Sequence, residues 1–522
     1  MTVVEAEHSE EVADAPSTRA GRLRQHLTPA VLVVLGVVAV YTGYYTQRSI
    51  NVHHALGTSS YDSALYDQGI WLVSRFEAPF VTLMGRNLFG DHSSFILVAL
   101  VPFYWIWPSA GVLFFAQSLA IGAGAIPVFL YARRRLESEW AGVALASAYL
   151  VHPAIGGTNL ENFHPDSFLG VFVGAAIWAA LERRWRTYVL FVVLALSVKE
   201  DASLVLVPLG LWVAVQRDRK IGILTVFGSL AFMAFAMFVV MRSLIGVPTR
   251  NGWRIPFGGP TGVVDTAVTN PTSLVRYLRS DDRPWYLIQM TAPFAWLFAR
   301  LPWVALISGL VLFTNILSTF FYQYQVEFHY SLVAVPALAM GTVHALGEFK
   351  KRRTIRLDPE SGATALTVPP RMMGVATVVA AALFTSYLWS PVPWGRNPGW
   401  IGDPSTEWAT AAREIISDIP PDAIVSAHYR ITPHIAHRSE IYQFPTPYRA
   451  VLYGPNGNVD GPRIADRAER VEYVVLSTNT NDYQHGDWLL IASAFRLVDA
   501  NNHWLLYERL PDVPLPPELS SP

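Results

Sequence analysis

Residues 61–71 read Y-D-S-A-L-Y-D-Q-G-I-W and residues 89–94 read F-G-D-H-S-S, which sets Asp62, Asp67, Asp91 and His92 in one connection between two apolar runs, 29–45 and 95–107. Charged side chains cost about 2.5 to 3.5 kcal/mol each at the centre of a membrane span. This stretch therefore belongs at a membrane surface or in a hydrated cavity, with the apolar runs as the scaffold around it.

The rest of the composition agrees with a membrane setting. The chain has 522 residues, 52% hydrophobic and only 15% charged, which is too apolar for an ordinary soluble protein. It reads as a polytopic helical membrane bundle. A net charge of -1 gives no footing for phosphate neutralisation along a nucleic acid. The absence of cysteine excludes disulfides, thiolate metal sites and cysteine nucleophiles. Glu5, Glu7, Glu10, Glu11 and Asp14 precede Arg19, Arg22 and Arg24, so residues 1–27 read as a disordered cytoplasmic tail, too long and acidic for a cleaved signal. The run 29–45 approaches the roughly 20 residues of a span and reads as an uncleaved signal anchor.

Basic runs at 19–24, 133–135, 183–186, 217–220 and 350–356 are placed in the cytoplasm by the positive-inside rule. Residues 62–92 then face out, in an outer loop 47–109. The run 95–107 is short and carries Pro102, so it is expected to be re-entrant or interfacial. Segments 188–198 and 202–215 read as a hairpin with Lys199-Glu200-Asp201 at its tip, because only a hairpin keeps both basic flanks inside. A second hairpin is expected from 285–298 and 302–322. The count comes to about eleven spans, ending at 372–389, in a membrane domain 28–390. Every motif rich in Asp, Glu or His then falls on the outer side: the opening loop, N-L-E-N-F-H-P-D at 159–166, the K-E-D triplet, and V-E-F-H-Y at 326–330.

From residue 391 the hydropathy falls, and 391–522 reads as a small extracytoplasmic α/β domain. Asp403-Pro404 is the expected helix start, strands are expected near 423–427, 440–444 and 473–477, and a closing hairpin turns through Asn501-Asn502. Neither a Gly-rich phosphate loop nor a nucleophile elbow occurs there.

Each acidic or imidazole residue carries two readings. Asp62 and Asp67 are general-base or metal-ligand candidates, or else helix caps and solvated carboxylates. Asp91 beside His92 can hold a cation or a phosphate-bearing ligand, or Asp91 and Ser93 cap the short apolar helix. Glu161, His164 and Asp166 contact substrate or metal from a rim, or Asp166 caps the helix after it. Lys199 either pairs with Glu200 or Asp201 or receives the phosphate of a lipid-linked ligand. Glu327 and His329 carry the same alternatives. Tryptophans such as Trp71, Trp105 and Trp400 read as interfacial anchors, with sugar stacking as the alternative, and Arg250, Arg254, Arg276 and Arg279 as solvated loop cations or partners of lipid phosphates. No H-E-x-x-H spacing supports a zinc protease.

Taken in order, Y-D-S-A-L-Y-D-Q-G-I-W, G-D-H-S-S, N-F-H-P-D, K-E-D and F-H-Y resemble a bacterial membrane-protein family catalogued as domain of unknown function 2079, over roughly 61–346. That family is in turn similar to the GT-C superfamily of integral-membrane glycosyltransferases, which take a sugar from a polyprenyl-phosphate carrier on the outer face of the membrane. The resemblance implies Asp62 as general base or metal organiser, with Asp67 or Asp91 as the alternative. It also implies a polyprenyl-phosphate sugar donor in the bilayer, with Lys199 and an outer arginine receiving the leaving phosphate. A divalent cation, Mg or Mn, with Asp62 and Asp91 as candidate ligands, fits the superfamily, but the compact D-x-D pair of several members is absent here. A transporter or flippase of a lipid-linked or polar solute, and an envelope scaffold, are the competing classes. Donor sugar, acceptor and oligomeric state are left open by the residues.

Overall fold

A computed structural model describes residues 27–249, 251–351, 353–355, 366–454 and 457–517. The expectations for residues 1–26 and for Arg250 lie outside the described residues.

The first helix, Pro29–His54, has 26 residues and at 1.5 Å rise is about 39 Å long. Thr28 caps it, its Oγ1 accepting from Val31 N at 3.4 Å, and Pro29 fills the first turn, where a missing N–H costs nothing. Val34, Val38, Tyr41 and Tyr45 form its buried stripe, while Leu32, Leu35 and Val40 are exposed, as on a helix with one lipid-facing side. The helix runs nine residues beyond the expected 29–45, so the opening loop starts on a helix end rather than on a flexible tether.

Among the described residues, five helices are long and apolar enough to cross a membrane: Pro29–His54, Ala110–Arg135, Arg219–Ile245, His329–Leu346 and Pro370–Trp389. Phe95–Ile106, Ser167–Leu181, Trp185–Leu196 and Ala305–Leu317 are shorter apolar helices. The expected hairpin of 285–298 and 302–322 is broken into pieces. Arg283–Thr291 gives way to short 3-10 turns, with Ala295 and Trp296 at φ 50° and 52°. Pro293 and Pro302 remove N–H donors there, and left-handed residues cannot continue a right-handed helix.

The carboxyl-terminal segment is built on a five-stranded sheet in the order Phe495–Ala500, Trp504–Arg509, Tyr473–Ser477, Val425–Ala427, Ile441–Gln443. The first two pairings are antiparallel and the last two parallel. Its helix Glu407–Ser417 starts later than Asp403, because Thr406 is the cap, its Oγ1 accepting from Ala409 N. Trp504, fully buried, stacks on Trp408 at 5.3 Å and donates from Nε1 to the Trp408 carbonyl at 3.1 Å.

One apolar core runs from this sheet into the opening loop, joining Leu65, Ile70 and Leu83 to Ala412, Ile415 and Trp504. Polar contacts reinforce it: Ser60 Oγ meets Thr432 Oγ1 at 2.6 Å and Thr82 Oγ1 donates to the Ile441 carbonyl at 2.6 Å. The acidic loop is thus held between the membrane bundle and the sheet.

Candidate functional site

After the first helix the chain does not re-enter a helix at once. Asp62 sits at φ 74°, ψ −79°, following an extended Tyr61. This is the left-handed γ-turn region, which costs a non-glycine residue about 1–3 kcal/mol and persists only where neighbours over-determine it. Here they do. Asn162 Oδ1 accepts from Ser59 N at 3.3 Å and from Ser63 Oγ at 3.0 Å, and Arg430 Nη1 donates to the Leu56 carbonyl at 2.6 Å. The Asp62 carboxylate lines a cavity of about 400 Å³ and keeps 38% of its side-chain surface accessible.

The opposite wall comes from N-L-E-N-F-H-P-D and V-E-F-H-Y. A Cβ on Gly157 would come within 2.5 Å of Glu327 Cα, so a glycine there lets the two segments touch. As a result Glu161 Oε2 accepts from both the backbone N and Nδ1 of His329, each at 3.0 Å. Glu161 Oε1 lies 3.3 Å from His164 Nε2, which is itself 3.9 Å from Asp62 Oδ2. The His164 and His329 rings stack at 3.7 Å. Lys199, buried, reaches Asp166 Oδ1 at 3.5 Å and Asp201 Oδ2 at 3.4 Å. Arg254 Nη1 donates to Tyr330 Oη at 3.2 Å, with the guanidinium 4.2 Å over the Phe320 ring.

The electrostatics follow from these neighbours. Burial pushes the Asp62 carboxyl up to about 6, with Glu161 and Asp91 adding and His164 and Arg254 opposing. Burial pulls His164 down, but the Glu161 and Asp62 carboxylates outweigh it and hold the imidazole up at about 9. Burial likewise opposes ionisation of Glu161, and His164 and His329 outweigh it, bringing the carboxyl down to about 2. At neutral pH the centre is an ionised Asp62 beside an imidazolium.

Asp62, Asp91, His92, Glu161, His164, Asp166, Lys199 and His329 all line this cavity. Asp67, Glu200 and Glu327 do not. Asp67 accepts from Tyr104 Oη at 2.6 Å and pairs with His437 Nε2 at 2.9 Å on another cavity. Glu327 is exposed. Glu200 stands behind the wall, holding His92 Nδ1 at 2.7 Å and Ser93 N at 3.1 Å, so Lys199 takes Asp166 and Asp201 as its counter-charges instead.

Two capping expectations are overturned. Asp166 makes no side-chain bond into the first turn of Ser167–Leu181, because a buried ammonium claims its carboxylate. Asp91 is held by Arg86 at 2.8 Å, and Ser94, not Asp91 or Ser93, precedes the Phe95–Leu100 turn. Arg254, expected to be solvated, lines the cavity, as do Tyr61, Asn162 and Tyr330. The Gly/Pro-rich loop around Arg254 carries no periodicity that would have aimed it inward.

Glu161, His164 and His329 each offer a donor atom within 4.8 Å of the others, a set that fits a divalent cation. His164 Nε2 supports the fit, being buried without an aligned hydrogen bond. Asp62 lies at the edge of this set, whereas Asp91 is engaged by Arg86.

Among solved structures, the chain is similar to ArnT from Cupriavidus metallidurans in the apo state, with a TM-score of 0.52 at 14% identity, covering 94% of this chain and 100% of that one. The fold is therefore ArnT-like. No curated protein matches. Over residues 52–508 the chain matches the family described as predicted membrane protein (DUF2079), and it belongs to that family.

Proposed function

We propose that the protein is a GT-C-type glycosyltransferase that moves a sugar from a polyprenyl-phosphate-linked donor to an acceptor hydroxyl on the outer face of the bacterial cytoplasmic membrane. In this reading the bundle crosses the membrane about eleven times, with the amino terminus inside and the sheet outside. The observation that carries it is the facing of a strained, ionisable Asp62 against His164, with Lys199 and Arg254 on the same cavity.

The chemistry follows from those groups. Asp62 takes the proton of the acceptor hydroxyl as its oxygen bonds to the anomeric carbon. The bond from that carbon to the donor phosphate breaks, and the departing lipid phosphate carries away the electron pair. His164, Lys199 and Arg254 stabilise its growing charge from fixed positions. A divalent cation held by Glu161, His164 and His329 would displace the proton that His164 otherwise carries and supply Lewis-acid stabilisation of a phosphate oxygen in its place.

The test is transfer from a panel of labelled polyprenyl-phosphate sugars in membranes containing the protein. Asp62→Asn is expected to abolish transfer at unchanged protein abundance. Undiminished transfer in that variant would remove Asp62 from the mechanism. Solute uptake by vesicles with no transfer from any donor would favour the transporter class instead.

A further inference from the structure

A second group of imidazoles lies away from the cavity of Asp62. His53 and His54 end the first helix, and His434 stands in a short turn, Thr432–His434, of the carboxyl-terminal segment. Each offers a nitrogen within 4.8 Å of the other two. The three line a cavity of about 550 Å³ between the helix end and the sheet, separate from the one that holds Asp62.

Several features suit these nitrogens to a metal ion. His434 Nε2 is buried and makes no hydrogen bond, a cost that a ligand would remove. His53 Nδ1 lies 2.9 Å from Thr58 Oγ1. With Nδ1–H donating there, the other ring nitrogen is the free donor, the arrangement in which an outer partner sets the tautomer of a ligating histidine. Asp67 on the same cavity wall adds negative charge.

We propose that His53, His54 and His434 form a site for a borderline divalent transition cation of the Zn2+ class, which pins the carboxyl-terminal segment to the end of the first helix. Three imidazoles with an open position toward the cavity match the donor preference of such ions and not that of Mg2+ or Ca2+. Tetrahedral Zn–N bonds of 2.0–2.1 Å place their donors about 3.4 Å apart. Closing the set from 4.8 Å therefore asks under roughly 1 Å of movement per ring, with the His53–His434 stack, now 4.2 Å at 25°, opening as the rings turn. The ion would sit eight residues before Asp62 and hold the strand of chain that carries it.

The experiment uses the full-length protein without a histidine tag, purified in detergent and stripped of metal, in a Glu161→Gln background that disables the set at the other cavity. Zn2+ is titrated against a chromogenic chelator, and Co2+ is titrated for the visible absorption of a four-coordinate complex. One equivalent of Zn2+ is expected, with a rise in melting temperature that Mg2+ does not reproduce. His434→Asn and His54→Asn are each expected to weaken that equivalent at least about tenfold, and Thr58→Val by about tenfold through His53. His54 is exposed, so its variant keeps the test valid if His434→Asn fails to fold. Absence of Zn2+ binding in the Glu161→Gln protein, or affinity unchanged by His54→Asn, overturns the site.

Discussion

Asp62 and Asp67 lie five residues apart on one loop, and each faces an imidazole, yet they are built oppositely. Asp67 sits in the regular helix Leu65–Ser74, 3% exposed, with Tyr104 Oη at 2.6 Å and His437 Nε2 at 2.9 Å on the same oxygen. Asp62 occupies a left-handed γ-turn, keeps 38% of its side chain open, and has its imidazole at 3.9 Å, outside hydrogen-bond reach. A carboxylate gripped by two side chains in an unstrained helix stabilises a junction. One held in strain, with its partner standing off, is available to bind or to take a proton.

The contrast is broken most directly by removing the carboxylate at each position. Asp62→Asn is expected to abolish measurable transfer, a loss of at least about 10² to 10⁴, the usual span for a general base, without changing the melting temperature. Asp67→Ala is expected to do the reverse. It leaves Tyr104 Oη and His437 facing a void and should cost roughly 3 kcal/mol, read as a lower midpoint in detergent-phase unfolding, while the folded fraction retains its turnover. Equal losses of turnover in the two variants would erase the distinction.

The pH profile sharpens it further. Asp62 must be ionised to accept a proton, so with its value near 6 the rate should fall about tenfold for each pH unit below that point. His164 is charged below about 9, so the stabilisation it gives to a leaving phosphate is lost as pH rises past that value. In metal-stripped membranes a bell with limbs near 6 and 9 is expected, and His164→Asn should remove the alkaline limb. The smallest effect concerns strain. Asp62→Gly relieves the left-handed turn and is expected to raise stability by about 1 kcal/mol while abolishing transfer, a gain measurable as a higher melting temperature.

Much of this arrangement is legible in the sequence. The order of Y-D-S-A-L-Y-D, G-D-H-S-S, N-F-H-P-D and F-H-Y marks the segments that line the cavity, because ionisable groups between apolar runs have few places to go in a membrane protein. Partner choice was not legible. Lys199 has Glu200 and Asp201 beside it in sequence, yet it takes Asp166, 33 residues away, along with Asp201, while Glu200 turns to His92. Asp91 and Asp166 precede helical turns and cap neither, since a buried cation claims each carboxylate. The broken segment around Ala295 and Trp296 was hidden because hydropathy reports an apolar run and not its backbone path.

By itself the sequence determined that this chain is a polytopic helical membrane protein whose acidic and imidazole residues gather in a few motifs, since composition and charge are properties of the chain that no packing can alter. Only the tertiary structure decided which of those residues meet. Asp62 and His164 face each other across about 100 residues of chain, and Asp67 turns to His437 across 370, because the opening loop is clamped between a helix bundle and a sheet that share one core. Which carboxylate is left open depends on contacts of that range, and a local pattern carries no record of them.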